Sequence, residues 1–264
     1  MALGAQPLGA QPAEAETAVD LELVLAVDVS RSMDFDEQVL QRGGYVSAFR
    51  HPAVIAAIRR GARGRIAVSY VEWAGFELQT IVAPWTLIDG KATAAKFARS
   101  LAQAPIQDMR QTSISGGLIF ASRQFNANGF KGTRRVIDIS GDGPNNTGIP
   151  VTAARDLVVA NGIIINGLPV MLHRQRTGYY DIENLDAFYE DCVIGGFGSF
   201  ILKVTAKEKF ATAIRRKLIL EIAGRQPLRP ARAVAAQFSP RAPRVDCLIG
   251  EKLWSQRWRD YDEP

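Results

Sequence analysis

Three separate polar stretches of the sequence carry oxygen-bearing side chains with one shared chemical aptitude. "DVSRS" at 28 to 32 sets Asp28, Ser30 and Ser32 at alternate positions, "MRQTSISGGL" supplies Thr112, and "SGDGPNN" supplies Asp142. Hard divalent cations take oxygen ligands, and magnesium keeps several waters around an octahedral shell. Two carboxylates and three hydroxyls suit that demand. Alternate spacing in an extended loop points the three side chains of the first stretch toward one place, which a helix would not do. Read alone, the triplet still favours local structure: Asp28 as a cap ahead of a helix, and Ser30 and Ser32 as turn hydroxyls on backbone amides. Thr112 alone reads as the N-cap of a helix starting near Ser113.

Other residues carry less. Asp34, Asp36 and Glu37 sit where acids meet the positive end of a helix and are read as its acidic first turn. Asp138, between apolar residues in "VIDIS", is edge-exposed or paired and is not assigned to a metal. His51 and His173 have no Ser or Cys arranged beside them as a nucleophile. "GGFGSF" at 195 to 200 lacks the Lys-Ser/Thr ending of a phosphate loop and runs into a strand, so it reads as a turn. Tyr179, Tyr180 and Trp85 are read as core or contact aromatics.

The elements that must position these loops follow from periodicity. "LELVLAV" at 21 to 27 is a buried parallel strand and 35 to 49 a helix. A second short helix near 53 to 60 precedes a strand at about 65 to 73. Gly75 turns this strand into a hairpin over 66 to 83, whose antiparallel edge strand closes at Pro84. Helices at 91 to 103 and 113 to 126, a strand at 134 to 140, a helix at 150 to 161 and a strand at 162 to 170 come next. A helix at 183 to 191, a strand at 199 to 204 and an amphipathic helix at 206 to 222 complete the alternation. The expected fold is therefore α/β: a doubly wound, mostly parallel six-stranded sheet with one antiparallel edge strand and helices on both faces. In such sheets chemistry sits at the carboxyl ends of strands near the topological switch point, where the three polar loops fall. That position turns the preference from caps to a metal loop.

The 264 residues, 47% hydrophobic and 22% charged, fit one domain at 20 to 224 with short extensions, a segment at 1 to 19 and a Pro/Arg-rich tail at 225 to 264. No apolar run is long enough for a membrane span. The net charge of +5 comes largely from arginines at 225 to 244, without the basic face and stacking aromatics of nucleic-acid binders, so no nucleic acid is expected. Cys192 and Cys247 form no Cys/His cluster, which excludes a structural zinc site of the usual kind. Residues 1 to 20 lack a positive region and an apolar core, yet Ala13-x-Ala15 resembles the region around a signal cleavage site. Export and a cytoplasmic location both remain open on those residues. If the chain is exported, a Cys192–Cys247 disulfide would pin the tail to the domain.

Asp28-Val-Ser30-Arg-Ser32, then Thr112 before "SISGGL", then Asp142-Gly143 resemble, in order, the metal-ion-dependent adhesion site of von Willebrand factor type A domains. The resemblance spans about 20 to 224. "SGDGPNN", "CVIGGFGSF" and "KLILEIAG" further resemble a group of exported bacterial proteins of unassigned role that carry such domains, which favours a periplasmic or exported location. The resemblance implies Mg²⁺, or Mn²⁺ or Ca²⁺, held by Ser30, Ser32 and Thr112, with Asp28 and Asp142 contacting the ion directly or through water. It also implies an open coordination position for a carboxylate of a partner protein, and a module that is not an enzyme. The sequence departs from the pattern at "ISGDG", where many members have Thr before Asp-Gly. Gly141 gives that loop more freedom. The alternatives are a metal-assisted hydrolase using the same ion, disfavoured because the three loops hold no His or Lys to act as base, and a structural domain with a vestigial site.

Overall fold

Leu21, Leu23, Leu25 and Val27 pack on one face of a strand, and Val24 and Ala26 on the other. A strand buried on both faces must be central, and this period of two fixes the architecture around it. In the computed structural model, which describes residues 15–107, 109–172, 182–224 and 244–262, that strand is β1 (Thr17–Asp28). It is followed by α1 (Phe35–Arg50), α2 (Pro52–Arg59), β2 (Ile66–Trp73), β3 (Gln79–Ile88), α3 (Lys91–Gln103) and α4 (Ile114–Arg123). Then come β4 (Phe130–Gly141), α5 (Val151–Ala160), β5 (Ile164–Pro169), the short α6 (Leu185–Phe188), α7 (Phe210–Ala223) and α8 (Ile249–Asp262). His173, Tyr179, Tyr180, the arginine-rich stretch up to 243 and residues 1–14 lie outside the described residues.

The sheet order is β3-β2-β1-β4-β5, with β3 antiparallel to β2 and the other pairs parallel. The two hydrophobic clusters lie on opposite faces. One joins β1 to Tyr45, Phe49, Phe97, Phe210 and Ile214 of α1, α3 and α7, and the other joins it to Ile114, Leu118, Val151 and Phe188 of α4, α5 and α6. The chain steps from β1 to β2 on one side and returns to β4 on the other. The switch point therefore lies between β1 and β4, whose carboxyl ends carry Asp28 and the Gly141–Asp142 step.

Among the described residues the sheet has five strands, not the expected six. Residues 199–204 do run parallel to β5, with Gly167 N–H donating to the Phe200 carbonyl at 3.0 Å and Leu202 and Val204 N–H donating to the Gly167 and Pro169 carbonyls at 3.0 Å each. Pro169 has no N–H, so the rung between these bonds is missing and the segment makes only isolated bridges. Pro84 does not close the edge strand either. β3 continues to Ile88, with Pro84 and Trp85 set opposite Ser69 at a register shift. An edge bulge tolerates a proline.

α1 is barely amphipathic, and it buries polar side chains that hold the loops. Gln38 Nε2 donates to the carbonyls of Val29 and Met33, both at 3.4 Å, and Gln41 Nε2 donates to Ser140 Oγ at 2.7 Å. Arg42 reaches the Leu101 carbonyl at 2.9 Å and pairs with buried Glu72. Asp34 is the N-cap, accepting from Glu37 N–H at 2.8 Å while Glu37 Oε2 accepts from Asp34 N–H at 3.2 Å. Asp34, Asp36 and Glu37 thus belong to the helix start, as a capping box and acidic first turn. His51 caps α2 through Nδ1, 3.1 Å from Ala53 N. Asp138 is buried and paired with Lys217, and "GGFGSF" is a turn that leaves Phe197 exposed. Trp85 packs edge-on against Phe125 and donates to the Gln124 carbonyl.

Candidate metal centre

The structure brings Ser30, Ser32, Thr112 and Asp142 into one line of hydrogen bonds, with Asp28 at its base. Thr112 Oγ1 donates to Ser30 Oγ at 3.4 Å, Ser30 and Ser32 Oγ share a hydrogen bond of 2.8 Å, and Ser32 Oγ donates to Asp142 Oδ1 at 2.6 Å. Asp28 is fully buried, and its Oδ1 accepts from Ser30 N–H at 2.7 Å. Ser30 and Thr112 are buried, Asp142 is half-buried and Ser32 is exposed. The oxygens therefore rise from the sheet end toward solvent, and Ser30, Ser32 and Thr112 line a cleft of about 210 Å³.

Each loop is fixed from outside the cluster. Val29 N–H donates to the Trp73 carbonyl at 3.0 Å, and Met109 N–H donates to the Val29 carbonyl at 3.2 Å, which ties the first loop to β2 and to the second loop. Thr112 does not cap α4. Ser113 does, accepting from Gly116 N–H at 3.1 Å, which leaves the Thr112 hydroxyl facing Ser30. Gln111, held at φ 68°, turns the chain at this point.

Asn145 and Asn146 carry a role the sequence reading did not assign. Asn146 Oδ1 accepts from Thr112 N–H at 3.0 Å while its own N–H donates to the Thr112 carbonyl at 2.9 Å, a reciprocal clamp between the second and third loops. Asn145 Oδ1 accepts from Ser115 N–H at 2.9 Å. The signal was the Asn-Asn ending of "SGDGPNN", since Asn side chains substitute for backbone partners in loops.

Gly141 serves space rather than freedom. A Cβ there would stand 2.8 Å from Asp28 Oδ2 and 2.9 Å from the Tyr189 hydroxyl, and Gly141 is not among the glycines with positive φ.

The donors fit a hard divalent cation. Asp28 Oδ2 is buried without a hydrogen-bond partner, and burial pushes the Asp28 carboxyl from 3.8 up to about 7, against hydrogen bonds from Ser30 and the Asp142 amide that act the other way. A cation nearby would favour the charged form of this carboxyl. Among the described residues no three His, Cys, Asp or Glu side chains converge as metal ligands, so an ion here would rest on hydroxyls as well as carboxylates. A larger concavity of about 640 Å³, bordered by Arg59, Arg63 and Lys91, lies at the opposite end of β2 and takes no part.

Cys192 and Cys247 are joined in a disulfide that spans a sequence separation of 55. Val245, Cys247 and Ile249 pack on the cluster that also contains Phe188 and Cys192. Among the described residues no helix is long and apolar enough to cross a membrane.

The family model described as "Protein of unknown function (DUF1194)" matches residues 18–226. No curated protein matches the sequence. Among solved structures, proximal thread matrix protein 1 from the mussel byssus, with a zinc-occupied MIDAS motif, is similar at 16% identity and a TM-score of 0.53, over 79% of this chain and 49% of that one. The von Willebrand factor domain of the type V pili tip protein Mfa5 from Porphyromonas gingivalis is similar at 10% identity and a TM-score of 0.55, over 81% and 98%. A von Willebrand factor type A protein from Catenulispora acidiphila is similar at 13% identity and a TM-score of 0.52, over 78% and 43%. The chain thus spans about half the length of the mussel protein it matches. At these identities the likeness is one of fold.

Proposed function

We propose a metal-dependent binding role for this chain, which belongs to the DUF1194 family and has the fold of a von Willebrand factor type A domain. Ser30, Ser32 and Thr112 hold a divalent cation, Asp28 and Asp142 contact it directly or through water, and the ion's remaining position takes an acidic side chain of a partner protein. The observation that carries this reading is the convergence of Thr112, Ser30, Ser32 and Asp142 above a buried Asp28 whose Oδ2 has no hydrogen-bond partner. A carboxylate completing the shell of a partly coordinated cation makes a strong directional contact.

The zinc-occupied site of the mussel protein and the pilus-tip setting of Mfa5 support a divalent ion and an adhesive partner. The all-oxygen donor set favours Mg²⁺ first, with Mn²⁺ and Ca²⁺ as competitors. The Cys192–Cys247 bond and the pilus-tip setting of Mfa5 support an exported chain, since disulfides persist in oxidising compartments. A binding role rather than catalysis is favoured on this reading, since among the described residues the side chains lining the cleft include neither His nor Lys to serve as base.

Calorimetric titration of chelator-treated protein with Mg²⁺, Mn²⁺ and Ca²⁺ tests the site. Saturable uptake that Asp28→Ala removes is expected, and uptake unaltered by that substitution sinks the assignment. Capture of a partner from a cell-envelope extract should be lost on addition of EDTA. Metal-dependent turnover of ester or phosphoester substrates, abolished in Asp142→Ala, would overturn the non-enzymatic reading.

A further inference from the structure

The helix α8 lies beyond the residues that the family model matches, and its placement is specific. Gly250 packs on the third loop so closely that a Cβ there would stand 2.0 Å from the Asn145 carbonyl oxygen. Asn145 Nδ2 donates to Glu251 Oε1 at 2.7 Å, so the residue that braces α4 on one side also holds α8 on the other. Ahead of the helix, the Arg244 guanidinium bonds both Asp191 oxygens, at 3.0 and 3.1 Å, and Glu190 at 2.6 Å, next to the Cys192–Cys247 disulfide. One turn after Gly250, Trp254 reaches the cleft and lines it together with Ser30, Ser32, Thr112 and Pro144.

We propose that α8 is part of the binding site: Trp254 and Pro144 form an apolar wall beside the cation, so the cleft selects a protein segment whose acidic residue is flanked by an apolar side chain. This rests on the metal-dependent reading given above. The carboxylate would meet the cation, and its neighbour would bury apolar surface against the indole. Tryptophan is enriched among the few residues that carry most of the binding energy of an interface. The disulfide and the Arg244 pairs keep the wall in position, so the ordering cost is met before the partner arrives.

The test uses phage-displayed random peptides selected on the full chain in Mg²⁺ and eluted with EDTA, with Mn²⁺ calorimetry run on the same samples. Enrichment of Asp or Glu adjacent to Leu, Ile, Phe or Trp is expected. Trp254→Ala should weaken the selected peptides about tenfold and erase the preference for the apolar neighbour, with Mn²⁺ uptake unchanged. Acidic peptides without an apolar neighbour, a preference that survives Trp254→Ala, or no chelator-eluted enrichment each overturn the wall. Mn²⁺ uptake separates the two readings: if it is intact when peptide selection fails, only the wall is lost, and if it is absent the metal site falls as well.

Discussion

Ser32 Oγ donates a 2.6 Å hydrogen bond to the Asp142 carboxylate across 110 residues of chain. That bond closes the first loop on the third, and it exists because β1 and β4 are neighbours that end at the same level of the sheet, with Val27 in register with Ser140. The cluster is therefore a product of topology. Side chains that are ordinary caps and turn hydroxyls when taken singly become a donor set once the switch point gathers them.

Asp28→Asn should separate stability from metal binding. The substitution keeps an acceptor for Ser30 N–H and removes a buried carboxylate whose Oδ2 has no hydrogen-bond partner. In EDTA the variant should be more stable than the parent by about 1–3 kcal/mol. Mg²⁺ should raise the Tm of the parent and leave that of the variant unchanged. Denaturation in EDTA and in excess Mg²⁺ checks both signs, and a variant less stable than the parent in EDTA contradicts the account of Asp28.

Much of this was legible in the residues, and the parts that were not share a cause. The two-sided burial of β1 could be read from Leu21, Leu23, Leu25 and Val27 against Val24 and Ala26, because strand periodicity is local. Residues 199–204 have strand-forming composition, but their failure to complete a sixth strand depends on Pro169 lying opposite the missing rung, and register is not local. The choice between Thr112 and Ser113 as the cap of α4 was likewise undecidable from one stretch. α8 follows a stretch rich in proline and arginine, and what fixes it on the domain is a bond to Cys192 and a contact with Asn145.

Buried charge behind the sheet should give a pH dependence separate from the proposed metal site. Glu221 is buried, bonded to Lys217 and to Asn166 Nδ2 at 3.2 Å, with Oε2 left without a partner. Burial, and then the charge of Asp138, raise its carboxyl from 4.5 to about 8, with Lys217 and Asn166 opposing. The folded state therefore holds a proton that the unfolded state releases near 4.5, so this group's contribution to stability is full below that value and is lost as the pH rises through about 8. Urea midpoints of the parent should fall between about pH 5 and pH 9, and Glu221→Gln should flatten that fall. Equal slopes for the two proteins would show that Glu221 titrates as an ordinary carboxyl.

The Cys192–Cys247 bond should carry a large share of the tail's stability. Closing a loop over a separation of 55 residues restricts the unfolded chain by about 4 kcal/mol in the chain-entropy account. Cys192→Ser with Cys247→Ser, or reduction of the parent, should lower the urea midpoint accordingly. Hydrogen exchange should then rise in residues 244–262 more than in β1 or β4. Uniform loss of protection would mean that the tail and the sheet unfold as one unit.

Gly250→Ala opposes two effects of known sign. Alanine is the better helix former, by up to about 1 kcal/mol in a helix interior and by less in the first turn, where Gly250 lies, so an isolated helix with the sequence of α8 would gain slightly from the change. In the folded chain the new Cβ would stand 2.0 Å from the Asn145 carbonyl oxygen and 2.8 Å from its carbon, both backbone atoms of a loop clamped by Ser115 and Thr112. The loop cannot yield without pulling on Asp142, so the helix must move away, and Trp254 moves with it. The variant should lose stability, become more sensitive to protease in residues 249–262, and retain Mn²⁺ uptake, because none of the proposed ligand oxygens comes from α8. A gain in stability would instead show that helix propensity prevails and that α8 does not rest on the Asn145 backbone.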